Sequence, residues 1–343
     1  MGRLLVFLGT IAVLLGAVAA LDRWVDPTGI FYEPGALRAA LATDPPCLVS
    51  RELVGSSYFP FKEQIFRSRP TTTFVVGSSR VLKIRSRPGE RTFANVGFPG
   101  IGPEILPPLF RDLVGPRKLT AYVGVEFFWF NPSYEVVDYR PSFRAQAENV
   151  LGWSTFRSSV DTIRAAPYVL RHRWRREQVG SRCVIGRSDP TIAWAVDGSR
   201  VYSFELVPNG YRPPRQTFDD DLQTLRAGYY RDFGSFDEQR VRDLDEALTI
   251  AQRAGWKVVG FAPPDPTQYV RLFSTAPQTA RWWRRWKALM PQLFARHGFR
   301  WLDLSDVSSV PCAQDAFVDA GFHTTAACSD RIRADLDRAA AQG

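Results

Sequence analysis

The sequence predicts an α/β fold: a three-layer α/β/α arrangement around a mainly parallel sheet, preceded by a transmembrane helix and interrupted by a mid-chain insertion. Three observations predict it. Short apolar runs recur along the chain and stop at glycine or proline, as buried parallel strands do. Stretches of helical periodicity separate those runs, at spacings that suit strand–helix–strand units. An uncharged run, Leu4 to Leu21, precedes all of them. The 343 residues hold one large domain or two smaller ones. A hydrophobic content of 45% supplies a sizeable core, and 23% charged residues argue against wholesale disorder.

The run LLVFLGTIAVLLGAVAAL spans roughly 27 Å as a helix, about what a bilayer core requires. Arg3 precedes it and Asp22, Arg23 and Asp26 follow, which favours a cytoplasmic N-terminus. Trp24 stands where an interfacial anchor belongs. Residues 1–26 therefore read as a signal-anchor helix with its flank, placing the chain in the membrane by a single pass, and residues 27–343 as one exported α/β domain. A cleaved signal peptide is the competing reading, because Ala17-Val18-Ala19 forms an A-x-A site.

After the turn-rich DRWVDPTGIFYEPG, the strand candidates are Thr73–Val76, Thr92–Val96 and Leu119–Phe128, with a helix at 105–113 between the last two. Residues 133–230 are polar, arginine-rich and aromatic, and read as an inserted, cap-like region. Within it, helical stretches are expected at 155–178 and a hairpin at 194–206 (WAVDGSRVYSFEL). Ser235-x-x-Glu238 reads as a capping box, opening a helix whose apolar face is Val241, Leu244, Ala247, Leu248 and Ala251. Gly255 ends it, WKVVGF (256–261) is a strand, a helix follows over 277–297, and FRWLDL (299–304) is the last strand.

The net charge of +9 is almost entirely arginine, since the lysines are Lys62, Lys83, Lys118, Lys257 and Lys287. No nucleic-acid motif accompanies the arginines, so solvated basic faces are the reading and nucleic acid is not an expected partner. Cys47, Cys183, Cys312 and Cys328 make an even count in an exported chain, which permits disulfides. The favoured pairing joins the close pair, Cys312–Cys328, and Cys47–Cys183, with free buried thiols as the alternative. No CxxC is present and the histidines are not adjacent to cysteines, so neither a metal nor a cofactor is expected.

Sites in open α/β sheets form at the carboxyl ends of strands. Three such ends are polar and marked by glycine: Gly77-Ser78-Ser79-Arg80, then Asn95-Val96-Gly97, then Gly124-Val125-Glu126 with Asn131 beyond. Near the C-terminus, FVDAGFHTT (317–325) holds His323, one of three histidines, with Asp319 four residues earlier, close enough to orient the ring if the segment turns helically. A serine hydroxyl becomes a nucleophile when a neutral imidazole takes its proton, and a carboxylate behind the ring fixes the tautomer.

This constellation resembles the SGNH/GDSL hydrolase superfamily, and its membrane-anchored periplasmic branch related to alginate O-acetyltransferase and D-alanine transfer proteins. "VDPTGIF" and "GVEFFWFN" are similar to segments of that branch. The resemblance covers roughly 65–130 and 235–330. It implies an SGNH/flavodoxin-like fold, with Gly77-Ser78-Ser79 in place of Gly-Asp-Ser and Ser79 as nucleophile. It assigns Asp319 and His323 as orienter and base, and the amides of Ser79 and Gly97 as oxyanion donors, with Asn131 standing in for an absent third-block asparagine. The chain departs from the pattern in carrying Asp-x-x-x-His for Asp-x-x-His, and Glu126 near where Gly-x-Asn-Asp is usual.

The implied function is a periplasmic serine esterase or O-acyl(acetyl)transferase, anchored in the inner membrane. It would act on an envelope or secreted polysaccharide, with a membrane-bound O-acyltransferase as a partner. The alternative is a non-catalytic relative that binds a glycan or an assembly partner. Arg80, Glu126 and Asn95 are candidate substrate contacts. For Arg80 an ion-pair role is the competing reading, and for Glu126 a buried ion-pair partner. Trp282, Trp283 and Trp286 suit either sugar stacking or the core and rim of an amphipathic helix. His172 and His297 read as structural.

Overall fold

The computed structural model describes residues 2–25, 34–50, 58–139, 176–186, 192–207, 229–230, 232–310, 312, 316–319 and 323–342. The helical stretches expected up to residue 175, most of the 133–230 insertion, residues 26–33, His172 and the Trp24 side chain lie outside them. In chain order the elements are α1 Gly2–Val25, α2 Pro34–Leu41, β1 Leu48–Ser50, α3 Tyr58–Arg67, β2 Thr73–Val76, β3 Phe93–Asn95, α4 Leu106–Leu113 and β4 Thr120–Gly124. Then come β5 Arg176–Val179, β6 Arg182–Gly186, β7 Ile192–Trp194, β8 Arg200–Tyr202, α5 Glu238–Arg253, β9 Lys257–Ala262, α6 Thr267–Thr275, α7 Ala280–Arg296, β10 Arg300–Asp303 and α8 Ala326–Ala341.

Helix α1 is long and apolar enough to cross a membrane, with a mean hydropathy of 2.2 over Gly2–Ala20. Its apolar side chains, Leu5 and Val13 among them, are exposed, which is costly in water and favourable in lipid. Contacts divide the chain into two units, Met1–Phe61 with Tyr139–Val196 and Val201–Tyr211, and Lys62–Asp138 with Asp197–Arg200 and Arg212–Gly343.

The first unit carries a sheet in the order β5-β6-β1-β7-β8. β5 and β6 form an antiparallel pair, so residues 176–178, expected to be helical, are strand. β7 and β8 are neighbours, as a hairpin at 194–206 requires. Leu48, Val184, Ala193 and Leu206 form its small core, and a Cys47–Cys183 disulfide joins the start of β1 to β6.

The second unit is built on a parallel sheet in the order β10-β9-β4-β2-β3. The chain leaves β2 for β3 on one side and resumes at β4 on the other, so the connections at the carboxyl ends of β2 and β4 diverge and leave a crevice. Val75, Tyr122 and Val259 lie in register and pack with Phe93, Phe261 and the α8 face of Cys328, Ile332, Leu336 and Ala339. Phe74, which alternates with Val75, meets Phe66, Phe110 and Trp256 edge-on or tilted at 5.6–6.1 Å.

Several boundaries differ from the sequence expectation for identifiable reasons. The strand expected over Leu119–Phe128 stops at Gly124, and Phe127–Phe130 coil into a buried 3-10 turn. The Arg240 guanidinium takes the carbonyls of Trp129, Asn131 and Tyr134 at 2.6–2.9 Å, in place of a neighbouring strand. Asp237, not Ser235, caps α5, its carboxylate accepting from Gln239 and Arg240 N–H. Helix α7 starts at Ala280, with α6 separate before it. Trp283 and Trp286 are buried against each other and Phe127, so they belong to the core and are not free to stack on sugars. Trp282 lies at the rim beneath Arg281. His297 bonds Asp245 at 2.8 Å, tying the end of α7 to α5.

Gly260 sets how closely α7 approaches the sheet, because a Cβ there would sit 2.3 Å from the Phe294 ring. Gly260→Ala is expected to destabilise the protein by about 1–3 kcal/mol through overpacking. Denaturant unfolding of the full chain in detergent, followed by tryptophan fluorescence, reads this out.

Candidate active site

Strand β2 ends at Gly77, and Ser79–Val81 wind into a short 3-10 turn whose cap is Ser78. Val81 is fully buried and anchors that turn. Its two methyl groups lie against three glycines, one at the end of each of β2, β3 and β4. A Cβ at Gly77, Gly97 or Gly124 would come within 2.8, 2.6 or 2.7 Å of the Val81 side chain. The three glycine-marked strand ends therefore have one physical cause: they clear the seat for a valine. With Val81 seated, Ser79 is held half-buried at the carboxyl edge of the sheet.

The partner of Ser79 arrives from the far end of the chain. In the loop that carries it, the described residues 316–319 and 323–324 are tied by a bridge between Phe317 and Thr324 and by Val318 N–H on His323 O at 2.8 Å. Asp319 serves this loop twice. One carboxylate oxygen accepts the His323 backbone N–H at 3.0 Å, and the other bonds the ring Nδ1. His323 Nε2 then lies 2.9 Å from Ser79 Oγ. With this spacing one carboxylate holds both the His323 backbone N–H and the ring. A Cys312–Cys328 disulfide closes the chain around this loop, from the segment before it to the first turn of α8. Ala316 and Phe317 from the loop and Val81 from the Ser79 turn pack in one apolar cluster.

The remaining expected site residues are engaged inside the protein. Asn95 is fully buried, and its amide donates to the carbonyls of Val81 and Ile84 at 2.7 and 2.8 Å. It clamps the chain after the Ser79 turn and is not a substrate contact. Its Oδ1 accepts Gly97 N–H at 3.0 Å, so the oxyanion donor expected at Gly97 is directed into the protein. Asn131 is also fully buried. Its carboxamide donates to Tyr229 O at 2.9 Å and accepts from Ser133 N–H, a tie between main-chain segments where an oxyanion donor was expected. The Ser79 N–H meets no acceptor among the described residues.

Arg80 and Glu126 face inward as ion-pair partners, which removes both as substrate contacts. Arg80 Nη1 bonds Glu126 Oε2 at 2.7 Å, and Nη2 meets Asp265 Oδ1 at 3.0 Å and the carbonyls of Pro263 and Pro264. Glu126 Oε1 accepts from Ser78 Oγ at 2.7 Å. One guanidinium thus faces two buried carboxylates. Burial pushes Glu126 up to about 7 against the pull of Arg80, and raises Asp265 in the same way. Lys62, buried with Nζ on Gly198 O at 2.6 Å and Asn95 O at 3.2 Å, is pulled down to about 7 by the same desolvation.

Asp265, Lys62 and Tyr229 were not among the sequence candidates. Asp265 follows Pro263-Pro264 at the carboxyl end of β9, a fourth polar strand end that the periodicity marked only as a stop. Tyr229 packs against Phe128 and its carbonyl accepts from Asn131, and the charges of Glu126, Arg80 and Asp319 act on its phenol. Nothing in its local sequence signals this. Among the described residues no group of His, Cys, Asp and Glu is placed to hold a metal ion.

Folded Glu126 keeps its proton up to about pH 7, whereas an unfolded glutamate loses it near 4.5. Its contribution to stability is therefore complete below the unfolded value and is lost as pH rises through the folded one. Glu126→Gln is expected to flatten the fall in the urea midpoint between those two pH values, measured on the full chain in detergent. The site stands on this geometry alone: no protein-family model matches the chain, and a search of curated proteins finds no match.

Proposed function

We propose that the protein is a membrane-anchored serine esterase or O-acyl(acetyl)transferase that works through an acyl-enzyme, on an ester-bearing envelope or secreted polysaccharide. The observation that carries the reading is Ser79 Oγ at 2.9 Å from His323 Nε2, with Asp319 on the other ring nitrogen. These residues stand 244 positions apart in sequence for the serine–histidine pair, on a turn and a loop that share one apolar cluster. In the same reading the fold is the three-layer α/β/α arrangement of the SGNH/GDSL hydrolases. The α1 helix is the inner-membrane anchor, and the catalytic unit lies in the periplasm or outside the cell. A membrane-bound O-acyltransferase is the partner that would supply acyl groups.

The chemistry follows from the atoms in place. Asp319, holding Nδ1–H, selects the tautomer whose Nε2 accepts the Ser79 proton. The Ser79 oxygen attacks the ester carbonyl, and His323 passes the proton to the departing alkoxide. The resulting acyl-serine is released to water in an esterase, or to a sugar hydroxyl in a transferase. The Ser79 N–H is the amide available to the tetrahedral oxyanion, and such a donor is worth about 3 kcal/mol.

One observation favours the non-catalytic alternative, a glycan-binding or assembly protein on this fold. The amides of Gly97 and Asn131, both expected in the oxyanion hole, are engaged elsewhere. Reaction separates the two readings. Acetyl-ester hydrolysis by the full chain in detergent is expected to fall by about 10⁴-fold or more in Ser79→Ala. A folded Ser79→Ala variant as active as the parent would remove the nucleophile. Asp319→Asn is expected to lose about 10²–10⁴-fold in kcat with little change in KM, since it disturbs the tautomer and not substrate binding.

A further inference from the structure

We infer that Glu126 is a positioning residue for Ser79: its carboxylate grips the residues on both sides of the serine and so holds the nucleophile turn in its reactive geometry. The inference rests on the reading of Ser79 as the nucleophile. Ser78 and Arg80 flank Ser79 in sequence. Glu126 Oε1 accepts from Ser78 Oγ at 2.7 Å and Oε2 accepts from Arg80 Nη1 at 2.7 Å. Ser78 Oγ also accepts the Arg80 backbone N–H at 3.3 Å, the bond that caps the turn. Ser78 serves that bond with a lone pair and points its own proton at Oε1 of the ionised carboxylate.

The geometry makes the arrangement depend on the charge of Glu126. Oε2 faces the guanidinium, which only donates, so a proton on this carboxyl must sit on Oε1. There it reverses the hydrogen bond to Ser78, and the Ser78 hydroxyl must turn its own proton away from Glu126. Ionised Glu126 therefore grips the turn through charge-assisted bonds on both sides, and protonated Glu126 keeps the same contacts only as weaker bonds.

The groups around the carboxyl come from three further segments. Arg80 lies on the turn itself, Asp265 follows β9 and bears on Glu126 from beyond the same guanidinium, and Tyr229 and Tyr230 lie within reach of its charge. Asp319 acts in turn on Tyr229. Burial of the whole group places the Glu126 titration at about 7, in the range where an imidazole also changes charge.

The test uses the full chain in detergent and a fluorophosphonate ester. Its phosphorus forms a bond to Ser79 Oγ as fluoride leaves and the serine proton passes to His323. Labelling rates are measured from about pH 5 to about pH 9. Infrared titration follows the carbonyl band of the buried protonated carboxyl in parallel.

The expected parent profile rises with two protons lost, and one of its midpoints matches the infrared midpoint of Glu126. Glu126→Gln removes the band, leaves a one-proton rise, and labels about tenfold more slowly at its plateau. Ser78→Ala keeps the Glu126–Arg80 pair and the band but loses the second proton from the labelling profile, which separates positioning from folding. A one-proton profile in the parent, or a two-proton profile in Ser78→Ala, overturns the inference while leaving Ser79 as nucleophile. Absence of Ser79-dependent labelling at every pH removes the nucleophile and the inference together.

Discussion

The seating of Val81 against Gly77, Gly97 and Gly124 is the constraint on which the site depends. Three parallel strands end side by side, and at each end the chain carries no side chain where the valine needs room. A buried aliphatic side chain in close-packed contact has essentially one position. Fixing Val81 therefore fixes the turn that begins two residues back, and with it the position of the Ser79 backbone. The same cluster takes Ala316 and Phe317 from the loop that carries Asp319 and His323, with the Cys312–Cys328 disulfide at its margin. Core and site are thus one packed object, and a change to either is felt by both.

Charge is used beneath the turn in a way that packing alone does not require. Removing Arg80, Glu126 and Asp265 from water has a large desolvation cost, and a buried ion pair often gains little over a well-packed apolar replacement. The pairs at 2.7 and 3.0 Å have instead a directional consequence, tying the Ser79 turn to the end of β4 and to the chain after β9. Asn95 does the same from β3, holding the carbonyls of Val81 and Ile84. Three polar strand ends converge on one short turn, two through ion pairs to Arg80 and one through the Asn95 amide.

Local pattern made much of the fold readable. The apolar runs at 73–76, 92–96, 119–128, 256–261 and 299–304 each contain a strand of the parallel sheet. Their boundaries were less readable, because they follow from partners distant in sequence. Arg240 draws the chain out of β4 at the 3-10 turn, and Asp237 captures the first amides of α5 ahead of Ser235. Helix α8 escaped notice. Its apolar positions Cys328, Ile332, Leu336 and Ala339 are separated by arginines and aspartates, and only its packing on β4 and β9 residues marks that face as interior.

By itself, the sequence determined the apolar N-terminal helix, the parallel α/β order of the second unit, and the serine, aspartate and histidine worth bringing together. These follow from composition, periodicity and residue chemistry, all of which act over a few neighbouring residues. The tertiary structure decided what each polar group does. It brought His323 to Ser79 across most of the chain, turned Arg80, Glu126, Asn95 and Asn131 inward, and aimed the Gly97 amide at Asn95. A polar side chain near a strand end can face solvent or the interior with equal local propensity. The choice is set by which distant donor or acceptor needs a partner once both are buried.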